Sequence, residues 1–191
     1  MEFRIDKTRA PVVKFSIDKY IQVLPVTKYQ FERFVWESAP SLDYETMLTG
    51  RVSPGEISRE NLSYAFLSNI TFEEGCEISH WFGARLPTVS EWENAYDTAF
   101  RDENLFEEAL EYMKTTQKIE RRILKLLEGL CKLGIKRSDL GCGELVSEFS
   151  QEPYGRIYLK YSNKEEALVT GSPSRKTRDK NFGFCCVLSE N

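Results

Sequence analysis

The stretch of residues 70–96, ITFEEGCEISHWFGARLPTVSEWENAY, constrains the fold of this chain more than any other. Thr71 precedes Glu74 by three residues, and Thr88 precedes Glu91 by the same spacing. In such a pair the threonine hydroxyl accepts a hydrogen bond from the glutamate N–H, and the glutamate carboxylate accepts one from the threonine N–H. Each pair therefore predicts the start of a helix, and two helices are expected in quick succession.

The connection between these two helices is short and carries its own signals. Gly83 can take the left-handed conformation that commonly ends a helix, and Pro87 holds the residue before it in an extended conformation. Arg85 lies between them, where its guanidinium can bind Glu91, Glu93 or backbone carbonyls. We therefore predict a structural role for Arg85 in fixing the turn.

The two tryptophans of this stretch, Trp81 and Trp92, allow two interpretations. They could stack on a ligand, but aromatic side chains beside a helical turn bury large areas, which favours a place in the core. His80 is the single histidine and has no evident metal or nucleophile partner in the sequence. None of the three is therefore predicted to be catalytic.

The composition restricts the classes of function. With 191 residues, of which 41% are hydrophobic, the chain is expected to form a single globular domain with a substantial core. Its formal charge of −4 argues against a uniformly basic nucleic-acid-binding protein, although local basic patches need separate attention. Residues 1–15 alternate charged and apolar side chains, which predicts neither a secretory signal nor a membrane span and indicates a cytoplasmic protein.

The cysteines are typical of reduced thiols. Their number is odd and no two are spaced as CxxC, so neither a disulfide framework nor a zinc site is expected. The last two lie in the apolar run FGFCCVL, predicted to be a buried final strand, in which alternation would turn one thiol inward and the other outward. The cysteines are Cys76, Cys131, Cys142, Cys185 and Cys186.

The remaining segments predict an α+β protein. Residues 12–24 are expected to form two strands joined by a turn, and Thr27 with Gln30 repeats the capping-box spacing before a third helix. Residues 40–69 are rich in Pro, Ser, Gly and Asn, which predicts a surface loop with a short helical turn. Residues 100–135 carry apolar side chains at intervals of three and four, which predicts one long helix or a helical hairpin.

Charge is divided within residues 100–135. Acidic side chains dominate the first half and basic side chains the second. Arg121, Arg122 and Lys125 are the candidates for contacts with a partner. A solvated face over a packed apolar stripe is the alternative explanation.

A second candidate surface is the polar loop 172–181. It brings four basic side chains and one acidic side chain close together in the sequence, which suits a negatively charged ligand. A simple solvated loop explains the same pattern. The candidate ligand-binding residues are Arg175, Lys176, Arg178, Asp179 and Lys180.

Three segments of the chain carry a family resemblance. The segment 25–35 reads PVTKYQFERFV, and the segment 183–187 reads GFCCV. Between them lies the pattern WxGxRLPTxxEWExA, formed by Trp81, Gly83, Arg85, Leu86, Pro87, Thr88, Glu91, Trp92, Glu93 and Ala95. In this order, the three segments resemble the formylglycine-generating enzyme and sulfatase-modifying factor family.

This resemblance implies an α+β, C-type lectin-like fold of the formylglycine-generating-enzyme type, with short irregular strands and two or three core helices. It implies a single domain over residues 1–191, with a helical insertion at about residues 100–135. The resemblance extends to standalone receptor domains diversified by retroelements and to accessory domains of bacterial conflict systems.

The chain departs from the catalytic members of the family. Those members carry a redox-active cysteine pair shortly before the final strand, but this chain has no cysteine between Gly143 and Phe184. The family's calcium-binding GNVWEW pattern is reduced to GELVSEF at residues 143–149. The iron-dependent branch takes its histidines from another domain, which has no counterpart in this sequence. The resemblance therefore implies a catalytically inactive binding module without a cofactor, with calcium binding left open.

Three functions are consistent with these features. The leading one is recognition of a protein or other macromolecular partner. An oxidoreductase with rearranged chemistry would use Cys142, Cys185 and Cys186. Nucleic-acid binding would use the basic residues of 114–137 and the loop 172–181, and its affinity would fall steeply with salt. No interaction with a membrane is expected.

Overall fold

The computed structural model describes residues 1–38, 44–48, 50, 52–140, 143–144, 146–148, 155–157, 178 and 182–190. Within these ranges the chain is an α+β protein, as predicted. The α-helices are α1 (Lys28–Ser38), α2 (Tyr44–Leu48), α3 (Phe72–Trp81), α4 (Val89–Ala95), α5 (Leu105–Thr115) and α6 (Arg121–Lys132). The strands are β1 (Phe3–Ile5), β2 (Pro11–Ser16), β3 (Lys19–Gln22), β4 (Gly143–Glu144), β5 (Val146–Glu148), β6 (Gly155–Ile157), β7 (Phe182–Gly183) and β8 (Val187–Ser189).

The main sheet is antiparallel and has the strand order β1-β2-β3-β8. The predicted strand pair over residues 12–24 is confirmed as β2 and β3, with Val13 opposite Ile21. Asp18 takes a φ of +58° in the turn between them, a conformation that aspartate tolerates better than most residues. The pairing of Tyr20 with Leu188 then adds the last strand, so residues near both ends of the described chain share one sheet.

All three predicted capping boxes are present. The N–H of Glu74 donates to Thr71 Oγ1 at 3.2 Å, and the N–H of Thr71 donates to Glu74 Oε2 at 2.7 Å. The boxes before α1 and α4 have the same reciprocal geometry. Gly83 has a φ of +72° just beyond α3, which confirms the predicted left-handed helix end.

The core has two parts. One lies between the sheet and helices α4, α5 and α6, and the other between α1 and α3. The segment 184–187 lies between them, because Cys185 packs in the first cluster and Cys186 in the second. The two thiols do alternate, but both are fully buried, since this segment is covered on both faces. The prediction that one would point outward is therefore wrong.

The predicted helical region at 100–135 consists of two helices, α5 and α6, packed against each other as a hairpin. Its apolar stripe is buried in the main core rather than left for a partner. Leu105, Leu110, Ile123 and Leu127 all belong to the cluster that contains the sheet residues Val13 and Ile21.

The prediction of a surface loop at 40–69 is wrong for residues 65–67. Ala65, Phe66 and Leu67 are buried, and the N–H of Leu67 donates to the carbonyl of Val26 at 2.8 Å. A single bridge between Thr27 and Phe66 holds this segment against the start of α1. The run was too short for either a helical or a strand period to reveal it.

Candidate functional site

The turn between α3 and α4 is organised around the carboxylate of Glu91. Arg85 binds it with two hydrogen bonds, Nη1 to Oε2 and Nη2 to Oε1, both 2.6 Å long. Lys19 Nζ reaches Oε1 at 2.9 Å, and the N–H of Thr88 donates to Oε2 at 2.9 Å. The predicted structural role of Arg85 is confirmed, and its partner is Glu91.

These bonds change the acidity of Glu91. Burial by itself would raise the pKa of the carboxyl, but the hydrogen bonds from Arg85, Lys19 and Thr88 outweigh it and lower the pKa to about 2. Glu91 is therefore ionised at neutral pH and stabilises the turn as a carboxylate. Such a group does not suit general acid catalysis near neutral pH.

The other capping-box glutamate is bound in a similar way. Arg178 donates from Nη2 to Glu74 Oε1 and from Nη1 to the carbonyl of Asn69 at 2.8 Å. Arg178 is the one candidate of the loop 172–181 that the structure describes, and its charge is compensated by Glu74. Arg175, Lys176, Asp179 and Lys180 lie outside the described residues.

The two tryptophans of the central stretch are both engaged in packing. Trp92 is buried and stacks on Tyr96, with ring centroids 5.4 Å apart and planes inclined by 7°. Trp81 is partly buried against Phe34, and Lys7 Nζ lies 3.9 Å from its ring centroid. The core prediction is confirmed for Trp92 and holds in part for Trp81.

A buried polar cluster around Asp6 joins three distant segments. Asp6 Oδ1 accepts hydrogen bonds from the N–H and hydroxyl of Thr8 and from the N–H of Ala10, at 2.7, 2.6 and 3.0 Å. Gln22 Nε2 donates to Oδ2 at 3.0 Å, while Gln30 Nε2 donates to the Thr8 hydroxyl at 2.8 Å. Burial raises the pKa of Asp6. Nothing in the sequence near Asp6 pointed to this cluster.

The three candidate residues of α6 have different surroundings. Arg122 binds Glu32 of α1 with an Nη1 to Oε2 distance of 2.6 Å and Glu120 with an Nε to Oε1 distance of 3.0 Å. Burial by itself would lower the pKa of Arg122, but the hydrogen bonds to Glu120 and Glu32 outweigh it and raise the pKa, so the guanidinium stays charged. Arg121 and Lys125 are exposed, and their side chains make no ion pair or hydrogen bond within the described part of the chain.

An aromatic side chain that the sequence pattern did not distinguish lies on α1, four residues after the Glu32 that binds Arg122. Trp36 follows Phe31 by five residues and Phe34 by two, spacings that put it on a different face of α1 from these buried side chains, and 84% of it is exposed. It lies about one helical turn beyond Glu32, on the same face of α1. The sequence signal available in advance was its spacing from Phe31 and Phe34, because neither is three or four residues away from it.

The cysteines that the structure describes form no disulfide with one another. Cys186 Sγ lies 3.3 Å from the hydroxyl of Ser79, with both groups buried. Cys142 lies outside the described residues. Among those residues no three His, Cys, Asp or Glu side chains are grouped so as to hold a metal ion. None of the helices described is both long and apolar enough to cross a membrane.

No family model matches the chain, and no curated protein matches its sequence.

Proposed function

We propose that this chain is a non-catalytic recognition module that engages a protein or other macromolecular partner through the outer face of α6. The observation that carries the proposal is the contrast between two sets of charged residues. Arg85 and Glu91 of the central stretch are bound to each other, whereas Arg121 and Lys125 are exposed without a partner among the described residues. A desolvated, unpaired cation is costly, so such cations remain at a surface where solvent or a ligand can reach them.

We also propose that the scaffold is C-type lectin-like and of the formylglycine-generating-enzyme type. The three segments that resemble this family lie against one another, which supports a shared scaffold. The N–H of Val26 donates to the carbonyl of Phe184 at 2.7 Å. Arg85 exchanges two backbone hydrogen bonds with Val187, at 3.1 and 2.8 Å.

The burial of the paired cysteines favours recognition over the oxidoreductase alternative. A reactive thiol needs access and a lowered pKa. Cys185 and Cys186 have no solvent-accessible surface, and each packs in an apolar cluster.

The proposal is tested by affinity capture with quantitative mass spectrometry, using the intact tagged chain. A double variant, Arg121→Glu with Lys125→Glu, is compared with the wild type. Asn94→Glu is the control, because it adds a negative charge at an exposed position on a different helix, α4. We expect at least one captured protein to be lost by the double variant and retained by the control. That protein must then bind the purified chain directly. If no captured molecule depends on Arg121 and Lys125, the recognition face proposed for α6 is wrong.

A further inference from the structure

The outer faces of α1 and α6 are linked by an ion pair. Arg122 joins the two helices, because its guanidinium binds Glu32 of α1 and lies 5.2 Å from the ring centroid of Tyr29. Trp36 follows Glu32 by four residues, a spacing that makes two side chains neighbours on one face of a helix. The indole therefore lies roughly one helical turn, about 5 Å along α1, from the point where α6 makes contact.

Trp36 is unusually exposed for its type. At 84% exposure it leaves most of an indole in water, on the order of 200 Å² of largely apolar surface. The other two tryptophans pack against neighbouring rings. Tryptophan and arginine are the side chains most enriched among residues that dominate binding energy at protein interfaces. Trp36 thus offers an exposed aromatic contact on α1, four residues after the glutamate that binds Arg122 of α6.

The charge of this surface favours an acidic polypeptide. Arg121 and Lys125 are four residues apart and project from one face of α6. Both are exposed, and neither has a partner in the part of the chain that the structure describes. Two separate cations of this kind match individual carboxylates of a partner.

The same charges do not suit a nucleic acid. Arg122 is already paired with Glu32 and Glu120, which leaves Arg121 and Lys125 as the cations of this surface without an ion pair among the described residues. Nucleic-acid binding typically relies on many phosphate contacts, whereas this surface offers two uncompensated cations.

We propose that the surface formed by Trp36, Arg121, Arg122 and Lys125 binds an acidic polypeptide segment. An apolar side chain of that segment packs on Trp36, and its carboxylates pair with Arg121 and Lys125. The inference rests on the proposed recognition function and specifies the chemistry of its partner. It also adds an aromatic contact on α1 to the basic residues of α6.

The test uses a random linear peptide display library panned on the intact chain, followed by affinity measurement with the purified selected peptides. Trp36→Ala is compared with Ile17→Ala, a matched control because Ile17 is also 84% exposed but lies at the tip of the β2–β3 turn. The charge-reversed double variant at Arg121 and Lys125 is compared with Asn94→Glu, which changes the charge at an exposed position on α4. We expect peptides rich in Asp and Glu around an apolar residue. We also expect about a tenfold or larger loss of affinity for Trp36→Ala and for the double variant, and less than about a twofold change for both controls.

The outcomes separate this inference from the function on which it rests. Selection of no binding peptide and capture of no partner would contradict both. Peptides that bind equally well to wild type and Trp36→Ala would contradict the inference alone. A random single-stranded DNA probe is titrated in parallel. DNA binding that is lost in Trp36→Ala and falls steeply with salt would contradict a polypeptide ligand and show that this surface binds a nucleic acid. Concentration-dependent self-association that is lost in Trp36→Ala would show that the partner of this surface is a second copy of this chain.

Discussion

Replacement of Glu91 by glutamine tests whether the charge of this residue stabilises the turn between α3 and α4. Glutamine keeps the size of the side chain and one oxygen for the N–H of Thr88, as capping boxes allow. It removes the negative charge that Arg85 and Lys19 contact. Glu91→Gln therefore isolates the electrostatic part of the interaction from the helix cap.

The expected magnitude follows from the lowered pKa. A carboxyl with a pKa of about 2 in the folded protein and 4.5 in the unfolded chain contributes roughly 3 kcal/mol to stability at pH 7. Glu91 has only 11% of its side chain exposed, but Arg85 has 37%, so solvent screens the pair. We therefore expect Glu91→Gln to lower the free energy of unfolding by about 2 kcal/mol at pH 7.

The sign of the pH dependence provides the sharper check. Because the pKa of Glu91 is lower in the folded state, its contribution is present above the unfolded pKa of 4.5 and is lost as the pH falls toward about 2. Urea unfolding at pH 7 and at about pH 3 should show the gap between wild type and Glu91→Gln shrinking by about half. Glu93→Gln is the control, since Glu93 is exposed on the same helix without an ion pair in the described ranges. An equal gap at both pH values would refute the electrostatic explanation.

Three further changes have defined outcomes. Gly183→Ala should lower the free energy of unfolding by about 1–3 kcal/mol, because the added Cβ would lie 3.2 Å from the carbonyl oxygen of Leu67. In the same urea assay Gly55→Ala, whose Cβ would meet nothing within 4 Å, should change the free energy of unfolding by less than about 0.5 kcal/mol. Leu127→Ala should cost about 2–5 kcal/mol by thermal or urea unfolding, because Leu127 is fully buried in the main core; a smaller loss would mean that α6 packs less tightly than described. Trp36→Ala should leave the unfolding midpoint nearly unchanged, since the side chain is exposed, and a large shift would contradict a role confined to binding.

The local signals in the sequence were sufficient for the helix starts and the first strands. A capping box depends on residues three apart, so Thr27 with Gln30 could be recognised without knowledge of the tertiary structure. The hairpin of β2 and β3 followed from β-branched residues on either side of a turn. These features are determined within short stretches of chain, which is why they were predictable.

Features that depend on distant segments were not predictable in the same way. The burial of Phe66 results from its bridge to Thr27, and the burial of both Cys185 and Cys186 results from two clusters meeting at one segment. The exposure of Trp36 depends on which face of α1 the sheet and α3 leave uncovered. The candidate surface on α6 was predicted from its charges, but the ion pair of Arg122 with Glu32 joins residues 90 positions apart.

The position of residues 184–187 also has a consequence for biosynthesis. This segment completes both parts of the core and bonds to Val26 and Arg85, which are made much earlier. Until the ribosome has released it, the apolar faces of the sheet and of α1 lack their common neighbour. Contacts between such distant residues slow folding and leave apolar surface accessible to chaperones and proteases in the meantime. A nascent chain halted before residue 184 should therefore be degraded readily. The fold should become complete only after residues 184–187 have been synthesised.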